Sequence, residues 1–193
     1  MQGVGAFGRK RIICGIIIPC VVLLALIAVD QITKYAFQSL HEDKGDTQVI
    51  KDFFYFTCVY NEGAAFSFLA DKEWGQLFFK ILTGIALVAF VSFFVLTVKH
   101  EKKWCTYSLS FVIAGTIGNY IDRLINSRVI DFIELRFGTY TFPVFNFADI
   151  CLTVGIIMLV VYFLFLDKNA VFAKKKPENL EEEKAEEKPE NEE

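Results

Sequence analysis

The sequence predicts an all-α membrane protein, with four transmembrane helices and a small strand-forming excursion beyond one end of the bundle. Three observations predict it. The chain is 54% hydrophobic with 21 Phe, and long apolar runs, not a general richness, carry that excess. Basic clusters fall at alternate ends of those runs. The aspartates of the middle of the chain gather at the opposite ends, where apolar sequence gives way to polar.

Residues 1–11 end in Arg9, Lys10 and Arg11 and are expected to stay cytoplasmic. The first span, 12–29, holds no charge. Its basic start and apolar core also fit a secretory signal, but the run is long for one and no A-x-A site precedes Asp30. A retained helix is expected, kinked at Pro19. Asp30 and Lys34 follow at its end, four apart and able to pair on one face. The stretch from Val49 to Asn61 is rich in β-branched and aromatic residues and predicts one or two short strands. Asn61, Gly63, Ala64 and Ala65 then suit a turn or a close backbone approach. The second span is 81–98, with Lys80 able to snorkel at its edge. The third, 107–125, is less apolar and carries a polar stripe. Residues 133–137 alternate as a half-buried strand would, and the fourth span is 150–166. The Lys/Glu/Pro-rich tail, 169–193, is too polar to build a core and is expected to be disordered.

Charge sets the expected orientation. Arg9–Arg11, Lys99, Lys102, Lys103, Lys168 and Lys174–Lys176 all fall on one side, so both termini are expected inside and residues 30–79 and 126–148 outside. The net charge of −3 comes from residues 174–193, where five Lys and nine Glu give −4 and leave the remainder at about +1. No basic patch interleaves with aromatics, so nucleic acid is not an expected partner. The five cysteines form no CxxC pair and the two histidines do not cluster with them, which argues against a zinc site.

Four separate pieces of sequence therefore converge on one membrane face: Asp30 with Lys34, Asn61, Asp131, and Asn146 with Asp149. On the third helix Gly115, Asn119 and Asp122 share a face, with Arg123 beside Asp122 and able to neutralise it. Asp131 is expected in a short connection after that helix. Asp149 is expected to open the fourth helix, where the helix dipole favours a carboxylate. Two neighbouring carboxyl groups resist ionising together and share a proton, as an aspartic protease requires. From spacing alone, a protease, a small ion- or proton-coupled transporter and a merely structural polar cluster all stay open.

The stretches DQITK at 30–34, YNEGAAF at 60–66, GNYIDR at 118–123, VIDF at 129–132 and FNFAD at 145–149 resemble the motifs of bacterial prolipoprotein signal peptidase, signal peptidase II. They occur in the family's order, across residues 12–166. The resemblance implies four transmembrane helices and an extracytoplasmic β-rich cradle in a bacterial inner membrane. It implies cleavage of diacylglyceryl-modified prolipoproteins just before the lipidated cysteine, by a monomer among membrane lipids and without a cofactor or metal. It makes Asp131 and Asp149 the catalytic pair. Asp30, Lys34, Asn61, Gly63, Asn119, Asp122, Arg123, Asn146 and Ala148 become supporting or substrate-contacting positions. Ala114 and Thr116 depart slightly from the family pattern, and the acidic tail has no counterpart in it.

Overall fold

The computed structural model describes residues 13–42, 44–62 and 74–167. In chain order the elements are α1 (Ile18–His41), preceded by a π-helical turn at Ile13–Ile17, then β1 (Thr47–Ile50) and β2 (Phe54–Asn61). These are followed by α2 (Gly75–Lys99), α3 (Lys103–Asn126), β3 (Val129–Phe137), β4 (Tyr140–Thr141) and α4 (Phe147–Val161). The chain divides into two compact units, Met1–Leu159 and Val160–Glu193. The described part of the second is the last residues of α4 and a π-helical turn, Tyr162–Leu166, in which the rings of Tyr162 and Phe163 meet edge-on. The site described below lies in the first unit. The segments 1–11 and 169–193, and Gly63 with Ala64 and Ala65, lie outside the described residues.

The architecture is mostly helical with one four-stranded antiparallel sheet, ordered β1-β2-β3-β4. By length and apolar composition, three helical stretches can cross a membrane: Ile13–His41, Gly75–Lys99 and Phe147–Leu166. Their surfaces fit that reading, since α2 buries only Gly75, Phe79 and Thr97 and turns most of its Leu, Ile and Val side chains outward. α3 is the contrast. It packs on both α1 and α2 and buries thirteen residues, many of them polar. Its hydroxyls do not stay open: Thr106, Ser108, Ser110 and Thr116 each donate to the carbonyl four residues back. A helix of low hydropathy can thus occupy the centre of the bundle with its polar groups satisfied.

Small residues let the helices close on one another. A Cβ built on Gly115 would sit 2.3 Å from the Ala148 carbonyl oxygen, and one on Gly155 would sit 2.8 Å from the Ser108 carbonyl oxygen. Both are backbone contacts between α3 and α4, so neither can yield by turning a side chain.

Two boundaries differ from the sequence expectation, and both bear on the site. α1 does not end near Asp30. It continues to His41, so Asp30 and Lys34 lie well inside it. The extension packs on the sheet, with the Phe37 ring stacked on Phe132 at 4.4 Å and tilted against Phe56 at 4.3 Å. A polar start to this segment did not stop the helix because its charged groups are buried and paired across the bundle. The second difference is β3, which begins at Val129, so Asp131 stands on a strand and not in a connecting loop. The Val49–Asn61 stretch forms two strands, β1 and β2.

Gly115→Ala should cost about 1–3 kcal/mol of stability, because the added methyl meets backbone on a facing helix. Gly15→Ala has open space around it and should be neutral. Thermal unfolding of the purified protein in detergent measures both; equal midpoints would contradict the close α3–α4 contact.

Candidate active site

Two antiparallel contacts bring the separate pieces together. β2 pairs with β3 so that Val59 lies opposite Asp131 and Asn61 opposite Val129. The chain beyond β4 then returns to β3. Phe145 N–H donates to the Ile133 carbonyl at 3.1 Å, and its own carbonyl accepts from Phe132 and Ile133 N–H. That bridge delivers Asn146 beside Asp131, and α4 starts immediately after.

Asn146 and Asp149 close the helix start reciprocally. Asp149 N–H donates to Asn146 Oδ1 at 3.1 Å, and Asn146 N–H donates to Asp149 Oδ2 at 3.1 Å. This is a capping box, with Asn146 at the N-cap and Asp149 three residues in, and it satisfies two donors that a helix start leaves open. The fully buried Asn146 side chain also reaches outward: its Nδ2 donates to Asp131 Oδ1 at 2.6 Å and to Asn119 Oδ1 at 3.0 Å. Asn61 Nδ2 donates to the other Asp131 oxygen at 3.0 Å, and Asn119 Nδ2 donates to Asp149 Oδ1 at 2.8 Å. Three asparagines from three elements thus grip both aspartates.

A charged layer lies beneath. Lys34 is 1% exposed, and its ammonium donates to Asp30 Oδ2, Asp122 Oδ2 and Asn119 Oδ1, each at 2.9 Å. An ammonium has three protons, and three acceptors meet them here. Asp30 Oδ1 accepts from Ala148 N–H at 2.9 Å, which fastens α4's first turn to α1. Asp122 Oδ2 accepts from Ile130 N–H at 3.3 Å, which fastens the start of β3 to α3. Gly118 leaves room for Asp30: a Cβ there would stand 2.4 Å from Asp30 Oδ2. The Asp30–Lys34 pair is the one the spacing predicts. Asp122 takes Lys34 of the crossing helix α1 as a close partner, in addition to the charge of neighbouring Arg123. Arg123 Nη1 points back to the Asn119 carbonyl at 3.4 Å and lines the cavity described next.

Asp131 and Asp149 open on one cavity of about 640 Å³. Asn61, Asn119 and Arg123 share its polar end, while Leu135, Phe142, Phe145, Ile150 and Val154 form apolar walls. Asp131 is 3% exposed and Asp149 half-buried. Burial first, and then the neighbouring charge of Asp149, push the Asp131 carboxyl up to about 7, against the hydrogen bonds from Asn61 and Asn146. Asp149 accepts from the Asn119 side-chain amide and from the Asn146 backbone N–H.

Of the residues singled out in the sequence, Asp30, Lys34, Asn61, Asn119, Asp122, Arg123, Asp131, Asn146, Ala148 and Asp149 come together here, and Gly63 lies outside the described residues. Gln31 is a member that spacing did not single out. Its Nε2 lies within 3.1–3.3 Å of Asp30 Oδ2, the Gly118 carbonyl and Asp122 Oδ1. Its place beside Asp30, at the edge of an apolar run, was the available signal.

The family described as signal peptidase (SPase) II matches residues 22–165. This chain belongs to the signal peptidase II family. Lipoprotein signal peptidase of Listeria monocytogenes serotype 4a (strain HCC23) is 37% identical over 146 residues, covering 76% of this chain and 92% of that protein. Lipoprotein signal peptidase of Staphylococcus haemolyticus (strain JCSC1435) is 34% identical over 149 residues, covering 77% and 92%. A bacterial membrane enzyme solved by the in meso method at 2.3 Å resolution superposes with a TM-score of 0.71 at 32% identity, covering 83% of this chain and 94% of that one. The family is one of multi-pass membrane proteases, and membership leaves the transporter alternative without support.

Lys34→Met should destabilise the signal peptidase by about 3–5 kcal/mol, because Asp30 and Asp122 would remain buried without their shared cation. Lys34→Arg should not restore the loss, since a planar fork does not fit a three-acceptor socket built for an ammonium. Thermal unfolding in detergent is the measurement, and an unchanged midpoint for Lys34→Met would refute the role of this layer.

Proposed function

We propose that this chain is a membrane aspartic endopeptidase that removes signal peptides from diacylglyceryl-modified prolipoproteins, cutting just before the lipidated cysteine. The observation that carries the reading is the pair Asp131 and Asp149, joined through the Asn146 side chain at the mouth of a cavity that is polar at one end and apolar along its walls. Family membership supplies the substrate class.

Asp149, the more exposed carboxylate, takes a proton from a water in the cavity as that water attacks the scissile carbonyl. Asp131 carries the proton that goes to the carbonyl oxygen. As the tetrahedral intermediate collapses, a proton returns to the departing amine, the C–N bond breaks, and the pair resets. The apolar walls suit a signal helix, and the polar end suits the point where the scissile bond meets water.

In this reading α3 is a fourth span alongside the three apolar ones, and the sheet is a cradle on the extracytoplasmic side. The peptidase domain runs from 12 to 168, flanked by a cytoplasmic N-terminus at 1–11 and a cytoplasmic tail at 169–193. What supports the orientation is the basic residues Lys99, Lys102 and Lys103 between α2 and α3, at the opposite end of α3 from Asp122. The enzyme acts as a monomer, in contact with membrane lipids.

In a background lacking native cysteines, an impermeant thiol reagent added outside cells should label a cysteine at Lys44 and miss one at Lys102. The reverse pattern would overturn the orientation. For the chemistry, Asp131→Asn and Asp149→Asn should each insert, fold and lose nearly all cleavage of a synthetic lipidated precursor. The double variant should be little worse than either, because groups acting as a unit are not additive. Since Asp131 must hold its proton to act as the acid, kcat/KM should fall as pH rises through about 7. Normal cleavage by purified Asp149→Asn would remove the aspartic mechanism.

A further inference from the structure

One cluster at the outer end of α1 takes no part in the network described so far. The Arg128 guanidinium lies over the Tyr60 ring, 3.6 Å from its centre. The Tyr60 hydroxyl donates to the Glu42 carboxylate and accepts from Gln38 Nε2 at 2.9 Å. Three pieces of chain meet at this one ring: the end of α1 with its C-cap, β2, and the residue before β3. The ring belongs to the residue immediately before Asn61, whose amide holds Asp131. Tyr60 stands opposite Ile130, next to Asp131, in the β2–β3 register.

We propose that Tyr60, clamped between Arg128 and the last turn of α1, is a positioning residue that fixes the hydrogen bond from Asn61 to Asp131. The inference rests on the aspartic reading of the dyad. Asn61 ends β2, and the register of β2 on β3 is already irregular between Phe56 and Val59, so strand pairing alone holds this end of β2 by only three residue pairs. A half-buried aromatic ring gripped by a cation on one side and by two polar side chains at its hydroxyl supplies the missing restraint. It also gives the long extension of α1 a task, since Gln38 and Glu42 lie at its far end.

The consequence reaches the proton. The Asn61 amide favours the charged form of Asp131, so loosening it should make Asp131 hold its proton more strongly. Asp149 of α4, Arg123 of α3 and Lys34 of α1 also act on Asp131 by charge. A change at Tyr60 should reach Asp131 chiefly through Asn61, the residue that follows it in β2.

The test is the pH profile of cleavage of a synthetic lipidated precursor by the full-length enzyme in detergent. Tyr60→Leu should lower kcat about tenfold with KM nearly unchanged, and should move the alkaline limb up by about 0.5 pH unit. Tyr60→Phe keeps the ring under Arg128 and should lie between Leu and wild type; Arg128→Gln, which keeps the Tyr60 hydroxyl, should shift the limb in the same direction. Asn61→Ala should move the limb further, and adding Tyr60→Phe to it should change nothing more. A Tyr60 effect confined to the unfolding midpoint, with the limb unmoved, would overturn the proposal, as would full additivity with Asn61→Ala. Asp131→Asn separates the two readings: if it is inactive while the Tyr60 variants keep the wild-type limb, the clamp fails and the dyad stands; if it is active, the dyad fails first.

Discussion

The structure depends on where one buried ammonium is placed. Lys34 sits inside α1 at a depth where an unpaired charge could not stay, and three acceptors from two helices meet its three protons. Each acceptor also holds something else. Asp30 grips the first turn of α4 through Ala148, Asp122 grips the start of β3 through Ile130, and Asn119 grips Asp149 and Asn146. Helices in a bilayer gain little from burying apolar surface against each other, because lipid is as apolar as they are. Polar contacts of this kind, together with the close approach at Gly115 and Gly118, then decide how they register. Among the described residues one buried side-chain polar atom lacks a partner, Gln76 Oε1, and it lies outside this network. A polar cluster so fully satisfied specifies one arrangement of the helices and not several.

The sheet contributes a second constraint that helices could not supply. Asp131 must face Asp149 across a gap that no single element spans. β3 carries one acid, and the Phe145–Ile133 bridge turns the chain back so that α4 begins beside it. The capping box then fixes the other acid by backbone geometry, since Asp149 cannot leave Asn146 without uncapping the helix. Position and secondary structure are therefore coupled on the α4 side, while on the β3 side the position depends on side-chain amides and on the register of β2.

Much of this was legible in the sequence, and what was not has a common cause. The apolar runs located the helices, and the acids at their borders marked the residues that cluster. Asp30 with Lys34 was readable because a helix places residues four apart on one face. The pairing of Lys34 with Asp122 was not, because partners 88 positions apart are chosen by packing and not by local spacing. The same holds for α1 beyond Asp30, where polar residues suggested a helix end although the helix continues to His41. Phe37, packed against the sheet through Phe56 and Phe132, is part of the reason. The placement of Asp131 on a strand was hidden for a third reason: VIDF reads equally well as the start of a strand or as a short link. Gln31, though part of the DQITK stretch, was given no role because a lone amide beside an aspartate carries no periodic signal.

The two layers of the site handle charge differently, and the difference suits proton transfer. Below, carboxylates meet a fixed cation, and no proton needs to move. Above, both oxygens of Asp131 are held by side-chain amides, from Asn61 and Asn146. An amide N–H donates well to a carboxylate and tolerably to the carbonyl oxygen of a carboxylic acid, so it can hold the group in either state with little rearrangement. An ammonium in the same place would lock the carboxylate in its charged form and lower its proton affinity. With amides as the grip and burial beside a second carboxylate as the bias, Asp131 is kept in position while its proton affinity rises toward neutrality. The asparagines fix where the carboxyls are and pull the proton affinity of Asp131 down, while burial and the Asp149 charge push it up by more. In the proposed mechanism, a pair arranged this way passes through both protonation states without dismantling the network that holds it.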